Sequence, residues 1–91
     1  MAPARVYDEA IEWLGFPVRD RVTGFQGVVS SISFDLYGCV QFAVTPPVND
    51  KGESPDGRWF DIARVEKTGA RVMTPPSRFL RDYGPAEKPR R

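Results

Sequence analysis

The chain has 91 residues, of which 41% are hydrophobic and 27% charged, a balance typical of one small globular domain. Its 13 basic and 12 acidic residues leave a net charge of +1, which argues against binding nucleic acid by bulk charge alone. Histidine is absent and cysteine occurs once. These counts exclude histidine-based acid–base catalysis, an internal disulfide and a cysteine-rich zinc site, and we expect no metal and no cofactor.

Residues 3–14 have the periodicity of a short amphipathic helix. Four apolar residues share one face of it: Val6, Ala10, Trp13 and Leu14. Gly15 and Pro17 predict its end. Because an isolated helix of this length is marginal in water, we expect Trp13 and Leu14 to dock either on this chain's own sheet or on a neighbouring subunit.

From Phe16 onward the hydrophobic period changes to two, which predicts strands. The first strand points Val18, Asp20 and Val22 inward and ends at a turn over residues 23–27, whose two glycines can adopt positive φ. The second strand is expected to place five residues on one face: Val28, Ser30, Ile32, Phe34 and Leu36. The third strand, residues 39–45, has an apolar face as well: Val40, Phe42 and Val44.

Pro46 and Pro47 end the third strand, and residues 46–58 are predicted to form a long loop. An ordered segment follows over residues 59–65, and residues 71–74 are expected to form a last short strand. Pro75 and the residues after it predict a short helical segment that holds Phe79, Leu80 and Tyr83.

Short strands joined by tight turns exclude a parallel α/β sheet, since parallel strands need long crossovers. We therefore predict a mainly β fold: a small antiparallel SH3-like β-barrel of about five strands, with a short N-terminal helix and a short C-terminal helical segment. This divides the chain into an N-terminal extension (1–15), a barrel domain (16–74) and a C-terminal extension with a basic tail (75–91).

Three sequence blocks carry a family resemblance. Residues 20–27 read DRVTGFQG, residues 37–40 read YGCV, and residues 59–61 read WFD, with Pro46-Pro47 between the last two. The pattern resembles small proteins of tailed bacteriophages and prophages. The resemblance covers roughly residues 15–67 and implies phage origin and a small barrel, without implying a reaction. The lone cysteine fits synthesis in the cytoplasm, which for a phage protein is that of the host, and the virion is the second expected location.

Aromatic residues supply the interface candidates. Trp59 and Phe60 point to opposite faces of one strand, so one of them is expected in the core and the other at the surface. Phe25 either presents an exposed ring for a ligand or folds back onto the barrel end. The full set of interface candidates is Trp13, Leu14, Phe25, Trp59, Phe79 and Tyr83.

Ten of the 13 basic residues are arginine, which suits bidentate recognition of phosphate or carboxylate. Arg19, Arg21 and Arg58 are the anion-binding candidates, with Arg64 and Arg71 as further basic residues. The alternative is a solvated face balanced by nearby acids.

Two aspartates and the cysteine receive structural interpretations. Asp20 lies on an inward strand face and is expected at the barrel rim, bonded to turn amides near Gly24 or Phe25. Asp61 is expected to cap a turn or pair with an arginine, and Cys39 to be structural.

Three non-enzymatic functions follow. We favour a phage structural or interaction protein that binds itself or a capsid or tail protein. The first alternative is an early phage factor that inhibits a host defence protein or sequesters a nucleotide signal, with Arg19, Arg21 and Arg58 on phosphates and Phe25 or Trp59 on a base. The second alternative is a nucleic-acid-binding barrel. No membrane association is expected.

Overall fold

Five antiparallel strands and one short helix build the part of the chain, residues 4–76, that the computed structural model describes. The elements are α1 (Ala4–Ile11), β1 (Pro17–Asp20), β2 (Gln26–Phe34), β3 (Val40–Thr45), β4 (Arg58–Asp61) and β5 (Val65–Lys67). The strands form one sheet in the order β4-β3-β2-β1-β5. The mainly β antiparallel fold with an N-terminal helix is thus confirmed. The sheet is open, with β4 and β5 at its edges, and is not the closed barrel that the sequence predicts.

Strand β3 supplies the centre of the core. Its alternation is the one predicted: Val40, Phe42 and Val44 are buried, whereas Gln41 and Thr45 are exposed. Phe42 pairs in register with Ile32 of β2 and with Phe60 of β4, so three apolar side chains lie side by side across the sheet. This local pattern succeeds because every residue of β3 obeys the two-residue period.

Strand β2 contains a β-bulge that reverses the predicted facing of its first half. Val29 pairs with Val44 and Ser31 pairs with Ala43, which leaves Ser30 as the extra residue. Val29 is buried and Ile32 packs against the core, although the two are three residues apart. A single inserted residue switches the face of the residues that follow it. The predicted common inward face from Val28 to Leu36 is therefore wrong.

The N-terminal helix docks on the chain's own sheet. It ends at Ile11, earlier than predicted, and turns lead to Gly15, where φ is +88°. The Trp13 ring centroid lies 5.2 Å from that of Phe42, and Leu14 packs against the core as well. Gly15 then joins helix and sheet, because its N–H donates to the carbonyl of Val29 at 2.9 Å.

Two strand boundaries differ from the prediction. The first strand stops at Asp20, and Val22 lies exposed in the following turn. Residues 71–74 are irregular, and the fifth strand is Val65–Lys67, which pairs with β1. A strand of three residues is too short to produce a recognisable alternation. The predicted C-terminal helical segment, with Phe79, Leu80 and Tyr83, lies outside the described residues.

The irregular C-terminal segment holds the helix end in place. The guanidinium of Arg71 donates from Nε to the carbonyl of Leu14 at 3.1 Å and from Nη2 to that of Glu12 at 2.6 Å. The N–H of Val72 donates to the carbonyl of Gly15 at 2.7 Å. These bonds satisfy backbone carbonyls of the turns that join α1 to β1.

Candidate interaction cleft beside strand β4

Asp20 is a buried carboxylate whose hydrogen bonds organise one end of the sheet. Its relative exposure is 1%, as expected for an inward strand position. Arg64 donates from Nε to Oδ1 at 2.8 Å and from Nη2 to Oδ2 at 2.7 Å. The N–H and hydroxyl of Thr23 donate to Oδ2 as well. The prediction of a bond to a turn amide is thus confirmed, with the amide coming from Thr23, but nothing in the sequence identified Arg64 as the partner.

The ion pair changes the titration of both groups. The hydrogen bond from Arg64 holds the pKa of Asp20 well below its ordinary value, against the opposing effect of burial, and the bonds from Thr23 act in the same direction. The same hydrogen bond raises the pKa of Arg64. Both groups are therefore charged in the folded protein at neutral pH.

A short 3₁₀ turn, residues Ile62–Arg64, positions Arg64. Asp61 is its N-cap, since its Oδ1 accepts a hydrogen bond from the N–H of Ala63 at 2.8 Å. The expected capping role of Asp61 is confirmed. On the far side of the turn, the carbonyl of Arg64 accepts a hydrogen bond from the N–H of Arg21 at 2.7 Å, so the turn is fastened to the end of β1.

An open cleft of about 770 Å³ lies between the turn after β1 and strand β4. Seven residues line it: Thr23, Gly24, Phe25, Arg58, Trp59, Phe60 and Arg64. The rings of Phe25 and Phe60 are 5.5 Å apart between centroids. The Arg58 guanidinium lies 5.9 Å from the centroid of Phe25, and that of Arg64 lies 5.3 Å from the centroid of Phe60. Two adjacent aromatic rings thus each have one guanidinium group beside them.

Trp59 is the exposed aromatic residue of this cleft. Phe60 is buried at 6% relative exposure, whereas its neighbour Trp59 is 51% exposed. The prediction that the two rings divide between core and surface is confirmed, and the structure shows which is which. Trp13 of the N-terminal extension packs on Phe42. A large, half-exposed indole on an edge strand is typical of an interface anchor.

The anion-binding candidates do not share one site. The side chains of Arg19 and Arg21 both form salt bridges with Glu66 of β5. Arg58 lies on β4, at the opposite edge of the sheet order, and has no salt bridge with any residue that the structure describes. The second guanidinium of the cleft is that of Arg64. The inward position of Asp20 indicates that it needs a hydrogen-bond partner. It does not show which of the arginines Arg19, Arg21, Arg58, Arg64 and Arg71 bonds to it.

The other interface candidates have different degrees of burial. Phe25 is half-buried and folds back onto Phe60, and Trp13 and Leu14 are half-buried against the core. Phe79 and Tyr83 lie outside the described residues. The sequence missed Leu36 and Tyr37, which are 88% and 85% exposed at the turn between β2 and β3. Whether any of these residues contacts a partner stays a prediction.

Cys39 is exposed and lies beside a carboxylate. Its N–H donates to Oδ1 of Asp35 at 2.8 Å. The negative charge of Asp35 raises the pKa of the Cys39 thiol, which lowers the fraction of reactive thiolate at neutral pH.

The cleft has the chemistry of a binding surface. No acidic side chain lines it within the part of the chain that the structure describes. Asp20 neutralises Arg64 from below the surface, so Arg58 gives the cleft its positive charge. Among residues 4–76 no three potential metal ligands are grouped together. The one helix described there lacks the length and apolarity needed to cross a membrane.

Comparison of the chain with protein-family models, with curated proteins and with solved structures gives no significant match.

Proposed function

We propose that this chain is a non-enzymatic interaction protein of a bacteriophage, which binds either copies of itself or a capsid or tail protein. Its partner surface is the cleft beside β4. The observation that carries the proposal is the half-exposed Trp59, which lines the same cleft as Arg58 and Phe60 although its side chain belongs to the opposite face of β4. Tryptophan and arginine are the residue types that contribute most to protein interfaces. The phage origin rests on the sequence pattern of residues 15–67.

We also propose that the fold is an SH3-like barrel left open along one side. The strand order β4-β3-β2-β1-β5 and the 3₁₀ turn before β5 support this assignment. Side chains rather than backbone pairing link β4 to the turn after β1, since the ring of Phe60 contacts that of Phe25. Because side chains and not backbone hydrogen bonds make this link, the cleft stays accessible. A continuous ladder of backbone hydrogen bonds would close it.

Light scattering and virion analysis test the interaction function together. We expect either self-association of the pure protein or its presence in washed virions by mass spectrometry. Trp59→Ala is expected to abolish the association, because it removes the indole without disturbing a buried side chain. Tyr37→Ala is the matched control, since it removes an exposed aromatic ring outside the cleft. A protein that stays monomeric and is absent from virions contradicts the proposal.

Nucleotide sequestration is the second candidate, favoured by the stacking of Arg58 near Phe25 in the same cleft as Trp59. A base would stack on the indole and a phosphate would meet Arg58. Arg19 and Arg21 have no part in this version, since Glu66 already engages both. Calorimetry with cyclic and ADP-ribose-type nucleotides tests it, and the absence of binding heat excludes it.

A further inference from the structure

We propose that the cleft receives an extended acidic segment of a partner protein, which adds to the sheet as a strand along the outer edge of β4. This inference rests on the proposed interaction function and specifies the chemistry of the partner. The segment would alternate acidic residues, which meet the arginines, with apolar residues, which cover the indole.

The first argument is the open edge of β4. Strand β4 pairs with β3 on one side, and within residues 4–76 no strand pairs with it on the other. An edge strand presents a row of backbone N–H and C=O groups that another extended chain can satisfy. Strand addition of this kind is a common mode of peptide recognition. Residues 58–60 of β4 and Phe25 all line the cleft, so we expect a strand bound along this edge to lie close to Phe25.

The second argument is the charge of the cleft. Arg58 has no salt bridge with any described residue, and its guanidinium is oriented only by the ring of Phe25. Arg64 uses Nε and Nη2 on Asp20, and no described acceptor bonds its Nη1. The carboxylate of Asp20 is already saturated by Arg64 and Thr23. Among the described residues Asp20 neutralises Arg64, whereas no carboxylate neutralises Arg58, and a partner carboxylate would pair with Arg58.

The third argument is the alternation along β4. Arg58 and Phe60 share one face of the strand, and Trp59 and Asp61 share the other. A strand laid beside β4 has the same two-residue period. Its alternate side chains would meet the Arg58 face and the Trp59 face in turn. An acidic residue is complementary to the first position and an aliphatic or aromatic residue to the second.

A random decapeptide library displayed on yeast, probed with the labelled full-length protein, tests the inference. We expect the selected peptides to be enriched in Asp and Glu at alternate positions, with apolar residues between them and without internal proline. The selected peptide is then synthesised in plain form and with N-methyl groups on the amides of one edge. Methylation is expected to weaken binding about tenfold or more, because it removes ladder hydrogen bonds.

Charge reversal on the protein supplies the matched comparison. Arg58→Glu is expected to weaken peptide binding about tenfold or more, whereas Lys51→Glu, the same charge change in the exposed loop before β4, leaves it within about twofold. Amide NMR spectra of both variants are compared with that of the wild type to check that the fold is unchanged.

Each other outcome overturns the inference. It falls if no peptide is selected, if selected peptides lack acidic residues, or if backbone methylation has no effect. If no peptide is selected but Trp59→Ala abolishes self-association, the proposed interaction function is retained. The cleft then binds the surface of a folded protein and not an extended segment. Binding heat with nucleotides and none with acidic peptides assigns it to a nucleotide.

Discussion

Arg64 reaches back 44 residues along the chain to form a two-pronged ion pair with Asp20. The aspartate ends β1 and the arginine ends the 3₁₀ turn that precedes β5. The carboxylate is fully buried, whereas the arginine side chain is 40% exposed. This interaction thus fastens the 3₁₀ turn to the end of β1 and holds Arg64 at the cleft.

Breaking this pair is expected to destabilise the protein strongly. Asp20→Asn leaves Arg64 without its anion and replaces one of the two acceptor oxygens by an NH2 donor, so we expect the Tm to fall by at least ~5 °C. Thermal unfolding followed by circular dichroism measures the change. The matched control is Glu66→Gln, which breaks the exposed pair with Arg19 and is expected to shift the Tm by less than ~3 °C. Equal shifts of the Tm in the two variants contradict the conclusion that the buried Asp20–Arg64 pair stabilises the fold more than the exposed Arg19–Glu66 pair.

The pair also predicts how stability depends on pH. Arg64 and Thr23 hold the pKa of folded Asp20 below its ordinary value of 3.8, so on acidification the unfolded chain takes up this proton first. The stabilisation is fully present above about pH 4 and is lost as the pH falls toward the folded pKa. Urea unfolding at a series of pH values measures the free energy of unfolding of wild type and Asp20→Asn. We expect the difference between the two to become smaller below about pH 4. If the difference in unfolding free energy stays the same at every pH, the ionised Asp20 is not the source of this stabilisation.

The bulge in β2 predicts a contrast between two adjacent valines. Val29→Ala removes a buried side chain, 1% exposed, and is expected to cost about 2 kcal/mol of unfolding free energy. Val28→Ala, at a half-buried position, is expected to cost less than about 1 kcal/mol. Urea unfolding compares them directly. If Val28→Ala costs more unfolding free energy than Val29→Ala, the strand has no bulge and Val28 points inward.

Gly27 is predicted to be required for a close approach of the backbone. A Cβ at this position would lie 2.4 Å from the carbonyl oxygen of Thr45, so Gly27→Ala forces β2 and β3 apart and is expected to cost about 1–3 kcal/mol. At Gly69 a Cβ would meet the Pro17 ring at 3.7 Å, an ordinary contact, and Gly69→Ala is expected to stay within about 0.5 kcal/mol of wild type. Similar stabilities of the two variants would refute the clash.

Features set by neighbouring residues were predictable. The alternation of β3 and the capping role of Asp61 each depend on a few adjacent positions, and the structure confirms both. The same local reasoning failed in β2, since the residues around Ser30 carry no sign of a bulge. It also failed for β5, whose three residues are defined by pairing with β1.

The candidate site shows the same division. The sequence by itself determined that the pair Trp59 and Phe60 splits between core and surface and that an inward Asp20 needs a partner, because side-chain alternation and the cost of an unpaired buried charge act at single positions. Only the tertiary structure decided that Trp59 is the exposed ring and that Arg64 is the partner. It also separated Arg58 from Arg19 and Arg21, because these distances depend on how distant segments pack together.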